Sequence, residues 1–189
     1  KKKKQPRLRQ RLKMRSLNEI ALATRLSLFG DRQAFESLVR ENQGALRRMF
    51  LHLTLGDTML SDDLAQDTFM KAWLHIDQYS GRASFQTWVF SIGYRVFLDY
   101  CRTQQDSEDI DEAFSLGRTD RDIGLQMDMA KALKQLKTIE RTCVTLQVIE
   151  GMKTEDIATV TDLNANTVRS HIARGKQKLA EYLKQNGYE

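Results

Sequence analysis

Residues 163–178 carry the side chains best suited to chemistry, and that chemistry is non-covalent contact with DNA. The stretch holds four lysines and arginines and no acidic residue. Lysine and arginine attract phosphate, whereas arginine, asparagine and serine also carry groups that reach base edges in the major groove. We predict DNA contacts from Asn166, Thr167, Arg169, Ser170, Arg174, Gln177 and Lys178.

Two helices are needed to position these side chains. The longer one begins at Asn164, which is a favourable N-cap, and turns an apolar side inward. A shorter helix at 154–160 precedes it; Thr154 is predicted to cap this helix, and Ala158 is small enough for a close helix crossing. Asp162 tolerates left-handed backbone in the turn between them. The pattern predicts a helix-turn-helix. The alternative is an amphipathic hairpin whose basic face is merely solvated.

A second candidate surface is acidic. Asp63 and Asp67 stand four residues apart on a helix that Ser61 is predicted to cap, with Asp62 in its first turn. They lie away from the apolar stripe of the same helix. Paired carboxylates there could bind a basic partner, with Gln66 and Phe69 at the margin. By spacing alone, an ordinary acidic surface is the better interpretation. The predicted buried stripe consists of Leu64, Thr68, Ala72 and Ile76.

A loop at 79–84 separates this helix from the next, which is predicted to run from Phe85 to about Arg102. Arg95, Asp99 and Arg102 share one face of that helix. Asp99 could orient both arginines toward DNA. The three side chains could equally form a solvated salt-bridge ladder worth only a few tenths of a kcal/mol.

Composition favours an all-α fold. There are one proline and ten glycines in 189 residues, 41% of residues are hydrophobic, and strand-like alternation is scarce. We predict two small helical domains, at 16–102 and 125–189, with the helix-turn-helix in the second. A flexible acidic linker at 103–124 joins them, because that stretch has many acids and few large apolar residues.

The net charge of +5 misrepresents the folded part. Residues 1–15 hold nine lysines and arginines and no acid, so subtracting nine from +5 leaves −4 for the rest. This basic tail could be an arm that seeks phosphate, a cloning remnant or a solvated extension.

Several function classes find no support in the sequence. No apolar run is long enough to cross a membrane and none follows the basic start, so a cytoplasmic protein is expected. Cys101 and Cys143 form no metal-ligand or redox motif and are predicted to be reduced and buried. We find no nucleotide-binding loop, metal cluster or nucleophile–base pair. An enzyme, a small-molecule substrate, a cofactor and a metal are therefore not expected.

The order of motifs resembles the extracytoplasmic-function (ECF) sigma factors of bacterial RNA polymerase. Residues 62–73, DDLAQDTFMKAW, are similar to the family's segment that docks on the coiled coil of the β′ subunit. Residues 81–92, GRASFQTWVFSI, resemble its segment that opens and recognises the −10 promoter element. Glu150-Gly151-Met152 before the helix-turn-helix also matches. The resemblance covers roughly residues 17–183.

This resemblance implies roles for the residues singled out above. Core polymerase would bind Asp62, Asp63, Gln66, Asp67, Phe69 and Met70. The −10 element would contact Tyr79, Ser80, Arg82, Ser84, Arg95, Asp99 and Arg102, and the loop at 79–84 would receive an unstacked base. The helix-turn-helix would bind the −35 element, and its domain the polymerase β flap. The linker would thread the RNA channel, and an anti-sigma protein is an expected partner.

Three positions depart from the family pattern. Lys137 follows Leu136 where the family usually has Leu-Pro, and Asp162 replaces the turn glycine. Tyr94-Arg95 stands where Arg-Asn is common. A free-standing helix-turn-helix regulator is the alternative function. It would need an α/β receiver domain upstream, and residues 17–102 show no strand pattern.

Overall fold

The computed structural model describes residues 17–26, 28–105 and 123–188. Every regular element in these ranges is helical, which confirms the predicted all-α class. The first half contains α1 (17–26), α2 (Arg32–Leu53), α3 (Thr58–Leu74), a 3₁₀ turn (Ile76–Gln78) and α4 (Phe85–Gln105). The second half contains α5 (Ile123–Lys134), α6 (Thr138–Val144), a π-helical turn (Thr145–Ile149), α7 (Thr154–Thr161) and α8 (Ala165–Gln185).

Local capping sets where the helices of the first half begin. Asp31 caps α2 and Asp57 caps α3, each accepting a backbone N–H three residues further on. The prediction that Ser61 caps α3 is therefore wrong. Ser61 is buried inside that helix, and its hydroxyl donates to the backbone carbonyl of Asp57 one turn back. The predicted stripe Leu64, Thr68, Ala72 and Ile76 is buried throughout.

The helices that flank the predicted linker are longer than expected. α4 continues past Arg102 to Gln105, and α5 already begins at Ile123. Glutamine is a good helix former, so 103–105 extend the helix until the acidic stretch begins. Residues 106–122, which hold the linker's acids, and the tail at 1–15 lie outside the described residues.

The helix-turn-helix forms as predicted, with one local difference. Asp162 is left-handed, at φ 56° and ψ 36°, and the Asn164 side chain accepts from Thr167 N at 2.8 Å. Thr154 is the first residue of α7 and not its cap, because the capping position falls on Lys153, whose side chain makes no capping bond. A close approach of α8 to α6 depends on Gly175, where an added Cβ would lie 2.7 Å from Val144 Cγ2.

The two halves share one hydrophobic core. α7 packs along α4, while α6 and the π-helical turn lie against α2. Tyr94 of α4 and Phe50 of α2 are buried in the same apolar cluster as Leu146, Ile157 and Val160 from the second half. Burial, and secondarily the nearby thiols of Cys143 and Cys101, raise the pKa of Tyr94 to about 12.

Polar contacts fasten the halves at the rim of that core. Arg141 donates from Nη1 to the Leu53 carbonyl at 2.8 Å, from Nε to Leu133 O at 3.1 Å and from Nη2 to Leu136 O at 3.3 Å. Its guanidinium thus joins the end of α2 to the end of α5. Arg48 forms an ion pair with Glu150 at 2.9 Å beside it.

Leu55 adds an apolar contact between the halves. Its backbone is left-handed, with φ 57°, which costs a non-glycine residue about 1–2 kcal/mol. The side chain is only 7% exposed and clusters with Leu133, Leu136 and Val144 of the second half. Burying a leucine contributes about 1.5–3 kcal/mol, so docking of the second half offsets the strain.

Both cysteines were predicted to be reduced and buried, and this is confirmed in full only for Cys143. Both are free thiols; Cys143 is buried, whereas Cys101 is only half-buried because it lies nearer the end of α4. Burial raises the pKa of the Cys143 thiol to about 12. As for bilayers, none of the described helices combines the length and the apolar character needed to cross one.

Candidate nucleic-acid and partner surfaces

The predicted DNA face of α8 is open to solvent. Asn166, Arg169, Ser170, Arg174 and Gln177 are exposed on it, and Thr167 and Lys178 are half-buried at its edges. On the opposite face of α8, Val168, Ile172 and Gly175 are buried against the other helices of the second half. The amphipathic division predicted for this helix is confirmed, and all seven candidate side chains lie on its outer side or flanks.

Hydrogen bonds orient part of that face before any DNA is bound. Arg169 Nη1 donates to Asn166 Oδ1 at 2.7 Å, and the Ser170 hydroxyl donates to the Asn166 carbonyl at 3.0 Å. Arg174 Nη2 donates to His171 Nδ1 at 3.2 Å. Side chains already held in place lose less conformational entropy when they bind.

A buried carboxylate on α6 anchors the cationic edge of α8. Glu140 Oε2 accepts from Lys178 Nζ at 2.7 Å, and Glu140 Oε1 lies 4.0 Å from Arg174 Nε. The backbone N–H of Lys137 also donates to this carboxylate. Burial opposes ionisation of Glu140, but the hydrogen bonds from Lys178 and Lys137 and the nearby cations hold its pKa below the ordinary value. The side chain therefore stays charged and holds Lys178, with Arg174 nearby, at this edge of α8.

The acidic surface of α3 separates into paired and unpaired carboxylates. Asp62 accepts from Arg47 Nε at 2.5 Å, so its charge is largely compensated. Asp63 and Asp67 are exposed and, among the residues the structure describes, have no ion-pair partner. Two adjacent uncompensated charges are available to a basic partner.

A mainly apolar groove of about 730 Å³ runs between α2 and α3, and Gln66 and Met70 of its lining lie within one turn of Asp63 and Asp67 on α3. Phe35 meets Trp73 edge to face, with ring centroids 5.0 Å apart. The exposed side chains of Met70 and Leu74 extend the apolar surface. The groove contains three predicted residues, Gln66, Phe69 and Met70. The rest of its lining was not predicted as site residues: apolar Phe35, Val39, Trp73 and Leu74, and polar Glu36, Arg40 and Gln43 at its edge on α2.

The loop at 79–84 is closed by contacts at both ends. The Tyr79 hydroxyl donates to the Ala83 carbonyl at 3.1 Å, and the Ser84 hydroxyl accepts from Thr87 N at the start of α4. Tyr79, Phe85 and Trp88 form a cluster of aromatic rings with centroids 5.4–5.5 Å apart. Ser80, Arg82 and Ser84 remain exposed above it. Burial, and secondarily the charge of Glu19, raise the pKa of Tyr79 to about 12, so it remains a donor.

The predicted arrangement on α4 is met only in part. Asp99 pairs with Arg102 at 3.1 Å, but no hydrogen bond or ion pair joins Arg95 to it or to any other residue that the structure describes. Tyr94, one of the positions that depart from the family pattern, is buried toward the second half, whereas Arg95 is exposed. One side of α4 thus packs into the shared core, and the other side is exposed to solvent.

Gly81 is the glycine on which the loop depends, and we expect Gly81→Ala to disturb it. Its φ of 71° is left-handed, and an added Cβ would lie 2.7 Å from two carbons of Ile20 on α1. Gly30→Ala is the matched control, because Gly30 has φ 62° and open space around it. Backbone strain of about 1 kcal/mol is common to both, so Gly81→Ala should lower the melting temperature more. Equal shifts would contradict the close contact with α1.

Comparison with known proteins identifies both halves. The family models "Sigma-70 region 2" and "Sigma-70, region 4" match residues 38–107 and 126–179. An ECF RNA polymerase sigma-E factor of Haemophilus influenzae is 27% identical over 180 residues, covering 86% of this chain and 94% of its own.

Two solved structures have similar folds. CnrH, in complex with the cytosolic domain of CnrY, has a TM-score of 0.70 at 26% identity over 92% of this chain and 99% of its own. The sigma factor RpoE from Bartonella quintana, in complex with the anti-sigma factor NepR, has a TM-score of 0.70 at 29% identity over 79% and 96%. A free-standing regulator would leave the region 2 match unexplained. The chain belongs to the ECF sigma factors, which direct RNA polymerase to specific promoters.

Proposed function

We propose that this sigma factor divides its work between three surfaces. The carboxylates and apolar groove of α2 and α3 bind the β′ coiled coil of core polymerase. The loop at 79–84 and the exposed face of α4 contact the −10 element. The outer face of α8 contacts the −35 element, and the second half also meets the β flap.

The observation that carries the core-binding assignment is the pairing of uncompensated charge with apolar surface. Asp63 and Asp67 offer two exposed carboxylates next to a groove lined by Phe35, Phe69 and Trp73. Interfaces of this kind gain affinity from desolvated aromatic anchors and selectivity from charge complementarity. A basic, partly apolar helical partner fits both features.

The function also requires the two halves to separate. Promoter elements centred about 25 base pairs apart lie roughly 85 Å apart at ~3.4 Å per base pair. A compact chain of this length has a radius of gyration of only about 16 Å. Contacts such as Arg48–Glu150 must therefore break before both elements are read. Whether the linker then follows the RNA channel concerns residues 106–122, which lie outside the described ranges.

An anti-sigma protein that holds the halves together is the regulatory partner we propose. One similar solved structure is a complex of the sigma factor RpoE with the anti-sigma factor NepR, and the other is a complex of CnrH with the cytosolic domain of CnrY. The site of action would be the cytoplasm, where bacterial RNA polymerase works. Catalysis is left to the polymerase, and the sigma factor contributes binding energy only.

The test of the −35 assignment is Arg174→Ala, with Lys176→Ala as the control for lost charge on the same helix. Both cations are exposed, but only Arg174 lies on the predicted DNA face. Run-off transcription from templates randomised at the −35 and −10 elements should show a loss of about 1–3 kcal/mol at one −35 base for Arg174→Ala. Lys176→Ala should weaken binding slightly at all sequences. Identical profiles for the two variants would refute base contact by Arg174.

A further inference from the structure

Glu19 is a buried carboxylate that belongs to none of the predicted sites, and it contacts the start of α4, directly after the loop at 79–84. Glu19 lies on α1 and is 2% exposed. Its Oε2 accepts the backbone N–H of Phe85 at 3.0 Å, across 66 positions of sequence. Phe85 is the first residue of α4, whose N-terminal N–H groups have no partner within the helix. Ser84 caps α4 through the N–H of Thr87, and Glu19 of α1 satisfies the N–H of Phe85 in addition.

Further contacts join α1 to the same loop. Ile20, the next residue, lies so close to Gly81 that a Cβ there would come within 2.7 Å of two of its side-chain carbons and force Ile20 or the loop to shift. Glu19 is also near enough to Tyr79 for its charge to disfavour the phenolate. The Tyr79 hydroxyl in turn closes the loop on Ala83 O. The loop is thus held from its first residue, near its middle and just beyond its end.

We infer that Glu19 is a positioning residue for −10 recognition, acting through the Phe85 N–H to hold the loop at 79–84 in the shape that receives an unstacked base. The inference rests on the proposed role of this loop. Extrusion of a base costs a few kcal/mol, and a pocket that is already formed recovers this cost better than one that must be ordered on binding. Loss of the anchor would therefore appear as reduced base discrimination.

The experiment compares three full-length variants assembled with core polymerase. Glu19→Ala removes the acceptor, whereas Glu19→Gln keeps a carbonyl oxygen that can accept from Phe85 N. Asp31→Ala is the matched control, because Asp31 is also a carboxylate that caps a helix of the first half, at α2. Run-off transcripts from templates randomised at the −35 and −10 elements give the base preference, and titration with core polymerase gives the affinity.

Glu19→Ala should lower discrimination at one −10 position about tenfold, the scale of a single lost hydrogen bond to a charged group. Core affinity and −35 preference should not change, and Glu19→Gln should retain most of the discrimination. Unchanged −10 preference in Glu19→Ala, or an equal loss in Asp31→Ala, would overturn the inference.

Two further measurements separate this result from other failures. In a Trp73→Phe background the fluorescence of Trp88, which touches Tyr79 and Phe85, reports on the loop directly. Glu19→Ala should make Trp88 more accessible to acrylamide, and Asp31→Ala should not; equal quenching in the two variants would count against a positioning role for Glu19.

The variant Arg82→Ala tests the loop itself. If Arg82→Ala keeps the full −10 preference, the role of the loop is refuted and the inference about Glu19 fails with it. If Arg82→Ala loses that preference but Glu19→Ala does not, only the role of Glu19 is refuted.

Discussion

Replacing Asp63 and Asp67 together by alanine is expected to weaken binding to core polymerase by about 100-fold or more. Truncating a charge that is desolvated at an interface costs about 2–5 kcal/mol, and ~1.4 kcal/mol is tenfold in affinity. Both carboxylates are exposed and uncompensated in the free protein, so their binding capacity is available to a partner. Titration of labelled protein with core polymerase measures the effect.

The same double variant should fold at least as well as the parent. Like charges four residues apart on a helix repel by about 0.2–0.5 kcal/mol, and alanine is the best helix former. Thermal unfolding should therefore show an unchanged or slightly higher melting temperature. A large stability loss would mean that these aspartates support the fold instead of a partner.

Two controls define what the loss of binding means. Asp77→Ala with Glu181→Ala removes the same charge from exposed positions away from the groove, and core affinity should be unaffected. Asp62→Ala should cost less than either unpaired aspartate, because Arg47 already compensates its charge. If the Asp77/Glu181 variant binds core as weakly as the Asp63/Asp67 variant, net charge alone accounts for the effect.

Arg141→Ala is expected to destabilise the protein by about 3–5 kcal/mol. The guanidinium donates to three backbone carbonyls, at Leu53, Leu133 and Leu136, and its removal leaves them without that donor. Arg102→Ala is the surface control, because Arg102 makes an exposed ion pair with Asp99 worth at most about 1 kcal/mol. Urea unfolding gives both values, and similar losses for the two variants would contradict a fastening role for Arg141.

Arg141→Ala should also let the halves part more often. Cys143 is fully buried in the shared core, so its thiol reacts only when that core opens. In a Cys101→Ser background, labelling of Cys143 by a thiol reagent should be faster in Arg141→Ala than in Arg102→Ala. The labelling rate is measured at several low urea concentrations. A rate that does not change with urea indicates local opening of the core, whereas a rate that rises with urea indicates unfolding of the whole chain.

Features that depend on neighbouring residues could be predicted from the sequence. The left-handed turn at Asp162 and the cap at Asn164 follow from residue type and position within a few residues of each helix end. The predicted cap of α3 was wrong although it also concerned neighbouring residues. Asp57 and Ser61 lie one turn apart, and aspartate and serine both favour the N-cap position. Burial of Ser61 beside Thr54 decides between them, and burial is a tertiary property.

Features that depend on distant residues could not be predicted. Glu19 meets Phe85 across 66 positions and Glu140 meets Lys178 across 38, so no local pattern marks either carboxylate. The groove is an intermediate case. Phe35 and Val39 stand one turn apart on α2 and do signal an apolar face, but the fold alone shows that Trp73 closes it.

The core shared by the two halves couples any partners that distinguish the closed form from the open form. Holding α7 on α4 buries Tyr94, Ile157 and Val160, so separation has a free-energy cost that any ligand selecting the open form must supply. The first such ligand pays that cost, and a second then binds more tightly. With polymerase and promoter DNA both selecting the open form, as we propose, each is expected to be a positive effector of the other, and a partner that clamps the closed form a negative effector of both.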